Sequence, residues 1–212
     1  MSTERNELEA ICAALPIFPL PGVVLMPGEV LPLHVFEPRY RQLLAHCLAT
    51  DSTMGVATLL DGVDEGGRPR IAPEIGVGRV VSHQPMPDGR SNLLLRYVGR
   101  ARVAEELASP HAFRLVRASL LDEPTDDAGE VVYVRALVRQ LGAANTRFQA
   151  EAEHLLALPS DAMLDEIARR ALDTPDERRA YLAAPSGAAR ARAVAAALAS
   201  LIATDQGPIA EA

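Results

Sequence analysis

Two periods of apolar spacing divide the chain. Up to about residue 121, apolar residues come in short runs broken by proline, glycine and polar turns, the pattern of short strands. The runs predict strands at 17–20, 23–26, 30–35, 55–60, 77–84, 92–98, 102–106 and 113–121. Between two of them, Asp88 and Gly89 stand where a tight hairpin wants left-handed backbone, and residues 61–70 form a longer polar connection. One early helix interrupts this half. Phe36, Tyr40, Leu43, Leu44, Cys47 and Leu48 recur at helical spacing, Pro38 suits a first turn that needs no amide donor, and Arg39, Arg41, Gln42 and His46 point away from the stripe. Many short strands with one helix predict a partly closed barrel.

Beyond a polar seam at 121–130 the period changes to that of helices. Val134, Leu137, Val138 and Leu141 form one stripe, and Phe148, Ala152, Leu155 and Leu156 a second. Leu164, Ile167, Ala168, Ala171 and Leu172 form a third, and Val194, Leu198, Leu201 and Ile202 a fourth. Asn145, Ser160 and Thr174 are candidate caps, and Thr174-Pro175-Asp176-Glu177 has the form of a capping box that opens a helix over 175–183. The predicted class is α+β. The expected division is an N-terminal tail, 1–13; a β-rich subdomain, 14–122; a helical subdomain, 123–203; and a C-terminal tail, 204–212.

Composition narrows the chemistry. With 212 residues, 49% hydrophobic and 23% charged, the chain can bury a core. A net charge of −7 disfavours nucleic acid, whose binders gather positive charge against the phosphates. All 21 basic residues are arginine, so a Schiff-base lysine, a Walker-type phosphate loop and a Ser-Lys dyad are excluded. Two cysteines, Cys12 and Cys47, make no disulfide framework, and Cys47 lies on the buried stripe. The polar, acidic first ten residues do not resemble a signal peptide, and the lack of a long apolar run predicts a cytoplasmic protein outside the membrane.

None of His34, His46, His83, His111 and His154 has the spacing of a metal site, and no local elbow marks a nucleophile. Asp61, Asp64 and Glu65 lack the spacing of a calcium loop and are expected in a solvated turn, while the two glycines of IGVGRV lack the third of a dinucleotide loop and are expected at strand bends or bulges. Arg96, Arg100 and Arg102 with Tyr97 between them superficially suit a nucleic-acid face, but the acidity of the chain favours an exposed strand face.

The stretch LPIFPLPGVVLMPGEVLPLHVFEPRY, residues 15–40, closely resembles the opening motif of the Lon N-terminal domain family, the substrate-binding domain of ATP-dependent protease La. MGVATLL and IGVGRVVSHQPMPDGRSNLLLRYVGRARV resemble the family's next strand and hairpin, with Tyr97 where glycine is usual and Ala101 where phenylalanine is frequent. LDTPDERRAYLAAPSGAARARAVAAAL has the general form of its closing helices. The likeness runs over about 15–203 and is strong up to 106. It implies a PUA-like pseudo-barrel followed by a helical bundle, and a non-enzymatic module that binds polypeptides or a partner protein such as a protease, with no cofactor and no metal. The ATPase and peptidase modules of full-length Lon have no counterpart in these 212 residues.

Strand addition at an exposed edge is the expected mode of peptide binding. An RNA-binding PUA-like module, and a small-ligand receptor or enzyme using a cleft between the subdomains, are the alternatives. Candidate binding residues are Glu37, Arg39, Arg96, Tyr97 and Arg100, with Glu37 and Arg39 either pairing to fix the helix entry or contacting a client. Pro19, Leu20, Pro27, Gly28, Leu31, Pro32, Leu33, Phe36, Pro38 and Tyr40 are expected to be scaffold.

Overall fold

Six prolines keep residues 15–40 out of a continuous helix, because a proline inside a helix removes an amide donor and clashes with the preceding turn. The computed structural model describes residues 2–123, 128–146 and 148–205. In its first unit, Met1–Glu123, helix α1 (Ser2–Cys12) is followed by β1 (Leu15–Pro21), β2 (Val30–Val35), α2 (Pro38–Ala49) and β3 (Thr53–Val63). Then come β4 (Pro69–Ile71), β5 (Glu74–Pro85), β6 (Ser91–Leu107) and β7 (Arg114–Leu121).

The strands pair in the order β1–β7–β6–β5–β3, and β1 also pairs with β3 in parallel, Ile17 opposite Gly55. Five strands thus close into the ring of a pseudo-barrel, and closure leaves them no free edge. β2 lies outside the ring on β6, and β4 on β3.

Strand side chains alternate between faces, so the ring feeds two apolar clusters. One holds Phe18, Met54, Val56 and Leu95 under the α2 stripe of Tyr40, Leu43, Leu44 and Cys47. The other holds Leu15, Ile17, Val77, Ala101 and Val116 under Leu8 and Cys12 of α1. Residues 1–13, expected as a tail, are therefore mostly a packed helix; two buried side chains one α-helical face apart hold it down.

Other expectations also change. Residues 23–26 form no strand: Val24, Leu25 and Met26 are all buried, and the segment bonds to side chains instead of a ladder. Thr58 Oγ1 donates to the Val23 carbonyl at 2.6 Å, and Met26 N donates to Glu29 Oε2 at 2.8 Å. The segment ends in a turn where Gly28 has φ +71°, Pro27 sits before it, and Glu29 N donates to Met26 O at 3.1 Å. The runs expected at 92–98 and 102–106 are one strand, β6, because its first half pairs with β2 and its second with β7 while β5 spans both. In the β5–β6 turn only Gly89 takes a positive φ, +82°; Asp88 does not.

The second unit, Pro124–Ala212, contains α3 (Ala128–Ala144), α4 (Gln149–Ala157), α5 (Ser160–Ala171), α6 (Pro175–Ala183) and α7 (Gly187–Asp205). Its core takes Val134, Leu137, Val138, Leu155, Leu164, Ile167, Val194 and Leu198 from the four predicted stripes, whereas Leu201 is exposed. The capping box forms: Glu177 N donates to Thr174 Oγ1 at 3.2 Å and Thr174 N to Glu177 Oε2 at 2.9 Å. The Thr174 hydroxyl, donating to Glu177 Oε2 at 2.7 Å, and then the Thr174 amide hold the Glu177 carboxyl below its ordinary range. Asn145 and Ser160 do not cap; the residues at those helix starts are Phe148 and Pro159, without a side-chain bond. Arginines serve the C-terminal ends instead, Arg135 donating to the carbonyls of Leu156 and Leu158, and Arg178 to those of Leu172 and Arg169. Most of the expected C-terminal tail, and 124–127 of the seam, lie outside the described residues. Among the described residues no helix is long and apolar enough to cross a membrane.

Both thiols are sealed in. Burial, with a smaller push from Glu9, raises the Cys12 thiol to about 11, and burial, with a smaller push from Asp51, raises Cys47 to about 12. The native protein should resist alkylation at mildly alkaline pH and label at both sites once denatured, read by intact mass. Fast native labelling would contradict this packing. Because the folded thiols hold their protons more tightly, the unfolded chain releases them first; stability should fall as pH rises from the ordinary 9.0 towards 12.

Candidate functional site

The edge strand β2 and its neighbours build an open, partly apolar surface on the first unit. Tyr97 N donates to the Glu29 carbonyl at 2.9 Å, in register with Leu31 opposite Leu95 and Leu33 opposite Leu93. Antiparallel ladders alternate bonded and non-bonded pairs, so the backbone groups of Leu31 and Leu33 bond inward to β6 while those of Val30, Pro32 and His34 face the free edge. Pro32 therefore costs the ladder nothing, and its missing amide blunts the outward edge.

Residues opposite one another share a face, which orders the outer surface of β2–β6–β5 into three rows. His34, Asn92 and Gln84 form a polar row; Pro32, Leu94 and Ser82 a largely apolar one; Val30, Arg96 and Arg79 a third. His34, Pro32, Leu94, Ser82, Asn92 and Gln84 line a shallow depression. Leu94 is 40% exposed and Val30 44%. His34 Nδ1 lies 2.7 Å from Asn92 Oδ1, so this nitrogen donates to the amide oxygen. Phe36 continues the surface, 58% exposed and stacked on His34 with ring centroids 6.0 Å apart. On the opposite face Leu31, Leu33, Leu93 and Leu95 pack into the core.

The candidate binding residues do not converge. Glu37 and Arg39 pair with each other at 2.8 Å, the Glu37 carbonyl accepts the first α2 amides, and Arg39 lies 4.5 Å from the centre of the Tyr40 ring. This pair belongs to the helix entry. Arg100 is 4% exposed and donates through Nε and Nη2 to the Asp122 carbonyl, which is a structural role. Tyr97 bonds Glu123, and Arg102 bonds Glu74 at 3.0 Å. Only Arg96 lies on the three-row face.

Among the scaffold residues, Pro19, Leu20, Pro27, Gly28, Leu31, Leu33, Pro38 and Tyr40 hold the strands, the turn and α2; the Tyr40 hydroxyl donates to the Pro19 carbonyl at 3.2 Å and its ring lies 4.2 Å from that of Phe18. Pro32 lies in the edge strand β2 with its side chain exposed, and Phe36, expected on the buried stripe, is a correction, since it is exposed. Phe36 precedes the helix and so leaves its buried stripe; Leu48, in the last turn of α2, is exposed as well. The sequence reading missed His34, Leu94, Asn92, Ser82, Gln84 and Arg79. The alternation in VLPLHV was the available signal, but the unbroken Leu93-Leu94-Leu95 masks the period of its partner.

The surface offers binding more than chemistry. Ser91 Oγ lies 3.1 Å from His83 Nε2, yet Ser91 is buried, and among the described residues no carboxylate orients His83. No group of three or more His, Cys, Asp or Glu among the described residues is arranged to hold a metal ion.

Residues 14–200 match the family described as the ATP-dependent protease La (LON) substrate-binding domain. Among curated proteins, Lon protease 2 of Thermus thermophilus is 29% identical over 137 residues, covering 64% of this chain and 16% of its own length. A Lon protease of Endomicrobium trichonymphae is 28% identical over 66% of this chain and 17% of its own. The chain thus spans about a sixth of the relatives it matches. Among solved structures, a Lon N-terminal domain protein from Xanthomonas campestris superposes with TM-score 0.63 at 25% identity, covering 90% of this chain and 97% of that one. The N-terminal domain of Mycobacterium avium complex Lon protease superposes with TM-score 0.69 at 16% identity, over 88% and 98%.

Proposed function

The chain belongs to the Lon substrate-binding domain family, and on that premise we propose that it captures extended polypeptide on the outer face of β2–β6–β5 without catalysing a reaction itself. The observation that carries this reading is the exposed apolar patch of Pro32, Leu94 and Val30, set beside amides and a hydroxyl and extended by Phe36. An extended segment places alternate side chains on one face, where apolar ones cover Leu94 and Val30 while its backbone meets Asn92, Gln84 and Ser82. Pro32 denies the outer edge a full ladder, so contact with the face, more than lengthening of the sheet, supplies the affinity. Such a module suits cytoplasmic work beside a separate protease, delivering the chain it holds.

The test is fluorescence anisotropy with denatured client proteins and a peptide array. Saturable binding is expected. Leu94→Asp should weaken it about tenfold or more, since it removes the burial of one leucine, worth about 1.5–3 kcal/mol. The substitution is at an exposed position, so the melting curve should stay near that of the parent. Binding that ignores Leu94→Asp would move the site elsewhere, and no binding above that of an unrelated acidic domain would end the proposal.

A further inference from the structure

Two arginines on the peptide face have no anion. Arg79 and Arg96 stand directly opposite each other on β5 and β6, in the row that ends in Val30. Like charges placed opposite one another across strands repel. Among the described residues, several other arginines of this unit, though not Arg41 or Arg70, meet carboxylates: Arg102 bonds Glu74, Arg114 bonds Glu106 at 2.6 Å, and Arg117 bonds Glu105. Arg79 and Arg96 have no such ion pair or hydrogen bond among the described residues, and Arg79 Nε is buried with no acceptor. A buried donor left unmade is costly. In a chain of net charge −7, two adjacent unpaired cations on an otherwise apolar and amide-lined face are a local exception.

We infer that this pair receives a carboxylate of the bound polypeptide, which makes the preferred client an acidic-apolar segment. The inference rests on the reading that this face holds extended peptide. Guanidinium donors match a carboxylate in a planar, two-bond geometry, and a carboxylate between Arg79 and Arg96 offsets their repulsion. Spacing sets the motif. The arginine row and the Leu94 row are two residues apart along β6, about 7 Å, which is also the separation of same-face side chains in an extended peptide. A client therefore places an apolar side chain over Leu94 and, two residues away, Asp or Glu over the arginines. The neighbouring Pro32, Leu94 and Val30 favour a peptide over a phosphate backbone, which is tracked by a longer basic groove with several stacking aromatics.

The experiment uses the full chain and three short dye-labelled peptides that differ at one position, a leucine followed two residues later by Glu, Gln or Arg. Anisotropy titrations at low and high salt are expected to show the Glu peptide binding about tenfold tighter than the Gln peptide at low salt, with the gap narrowing at high salt. Arg96→Gln, at an exposed position, should erase that preference. Arg96→Glu should turn the preference towards the Arg peptide, and Arg79→Gln, checked for an unchanged circular dichroism spectrum, should act like Arg96→Gln. Equal binding of all three peptides, or a preference that survives Arg96→Gln, overturns the carboxylate assignment while peptide capture stands. No binding of any peptide overturns both. Tight binding of single-stranded RNA that depends on Arg79 and Arg96, with the Glu and Gln peptides bound alike, assigns the pair to phosphate and overturns the inference.

Discussion

Gly76→Ala should cost the strand-rich unit about 3 kcal/mol or more, against a typical domain stability of about 5–15 kcal/mol. A Cβ at this position would lie 2.4 Å from the carbonyl oxygen of Leu25 and 2.8 Å from its Cβ. The neighbour is backbone, so no side-chain rotation relieves the clash. Relief means lifting the segment before Glu29 off β5, but Leu25 and Met26 are fully buried there and Thr58 ties down Val23 at 2.6 Å. Exposing Leu25 alone forfeits about 1.5–3 kcal/mol, which is comparable to the strain it relieves, so both routes destabilise. Urea unfolding followed by circular dichroism reads the effect, since the chain has no tryptophan to report it. Gly66→Ala, on a polar turn where the nearest neighbour is a side-chain oxygen at 3.3 Å, should change the midpoint little. A Gly76→Ala midpoint equal to that of the parent would show that the segment does not cross β5 as described.

Asp165→Ala is expected to destabilise the helical unit by about 3 kcal/mol. Asp165 Oδ1 accepts from the Tyr181 hydroxyl at 2.7 Å and lies 3.4 Å from Arg190 Nη1. Tyr181 is wholly buried, the Arg190 side chain is 5% exposed, and the guanidinium sits 4.9 Å from the centre of the tyrosine ring. Removing the carboxylate takes a shared acceptor from a buried guanidinium and a buried hydroxyl, and the penalty is mostly that of weakening those two groups' bonding inside the core. Two companions separate this cause from lost packing. Tyr181→Phe removes one donor and should cost only about 1 kcal/mol. Asp165→Ala combined with Arg190→Met should recover part of the loss of the single variant, because the uncompensated charge goes too. Thermal melts of these proteins and of Arg190→Met decide it; a double variant as unstable as the sum of its two single variants would refute the charge argument.

The same contrast between local and distant causes explains what could be read beforehand. The α2 stripe of Tyr40, Leu43, Leu44 and Cys47 and the Thr174–Glu177 box were legible because their spacing follows from one helix turn and needs no partner. Phe36 was misplaced because helical spacing continues on paper past the residue where the helix starts. Val23-Val24-Leu25-Met26 has the composition of a strand, yet the Val23 carbonyl and the Met26 amide are answered by Thr58 and Glu29, the first of them thirty-five residues away. Helix α1 was missed because only two of its side chains, Leu8 and Cys12, are buried, too few to stand out as a stripe.

The candidate site was less legible than the fold. Arg96 was picked for its place in a basic cluster, but that cluster disperses: Arg100 turns inward to the Asp122 carbonyl and Arg102 pairs with Glu74. Its actual companion, Arg79, stands seventeen positions earlier in another strand, and two register shifts between β5 and β6 lie along the pairing that brings them together. No local pattern encodes that.

The amino-acid order alone determined the strand-then-helix succession, the family motif of residues 15–40, the absence of lysine chemistry and the internal logic of each helix, since all of these depend on neighbours a few bonds apart. Only the tertiary structure decided which face of β2–β6–β5 stays open, why Gly76 must be glycine, and that Arg79 meets Arg96. Those depend on pairing register and on segments passing within van der Waals reach, where a shift of one residue turns every side chain to the other face.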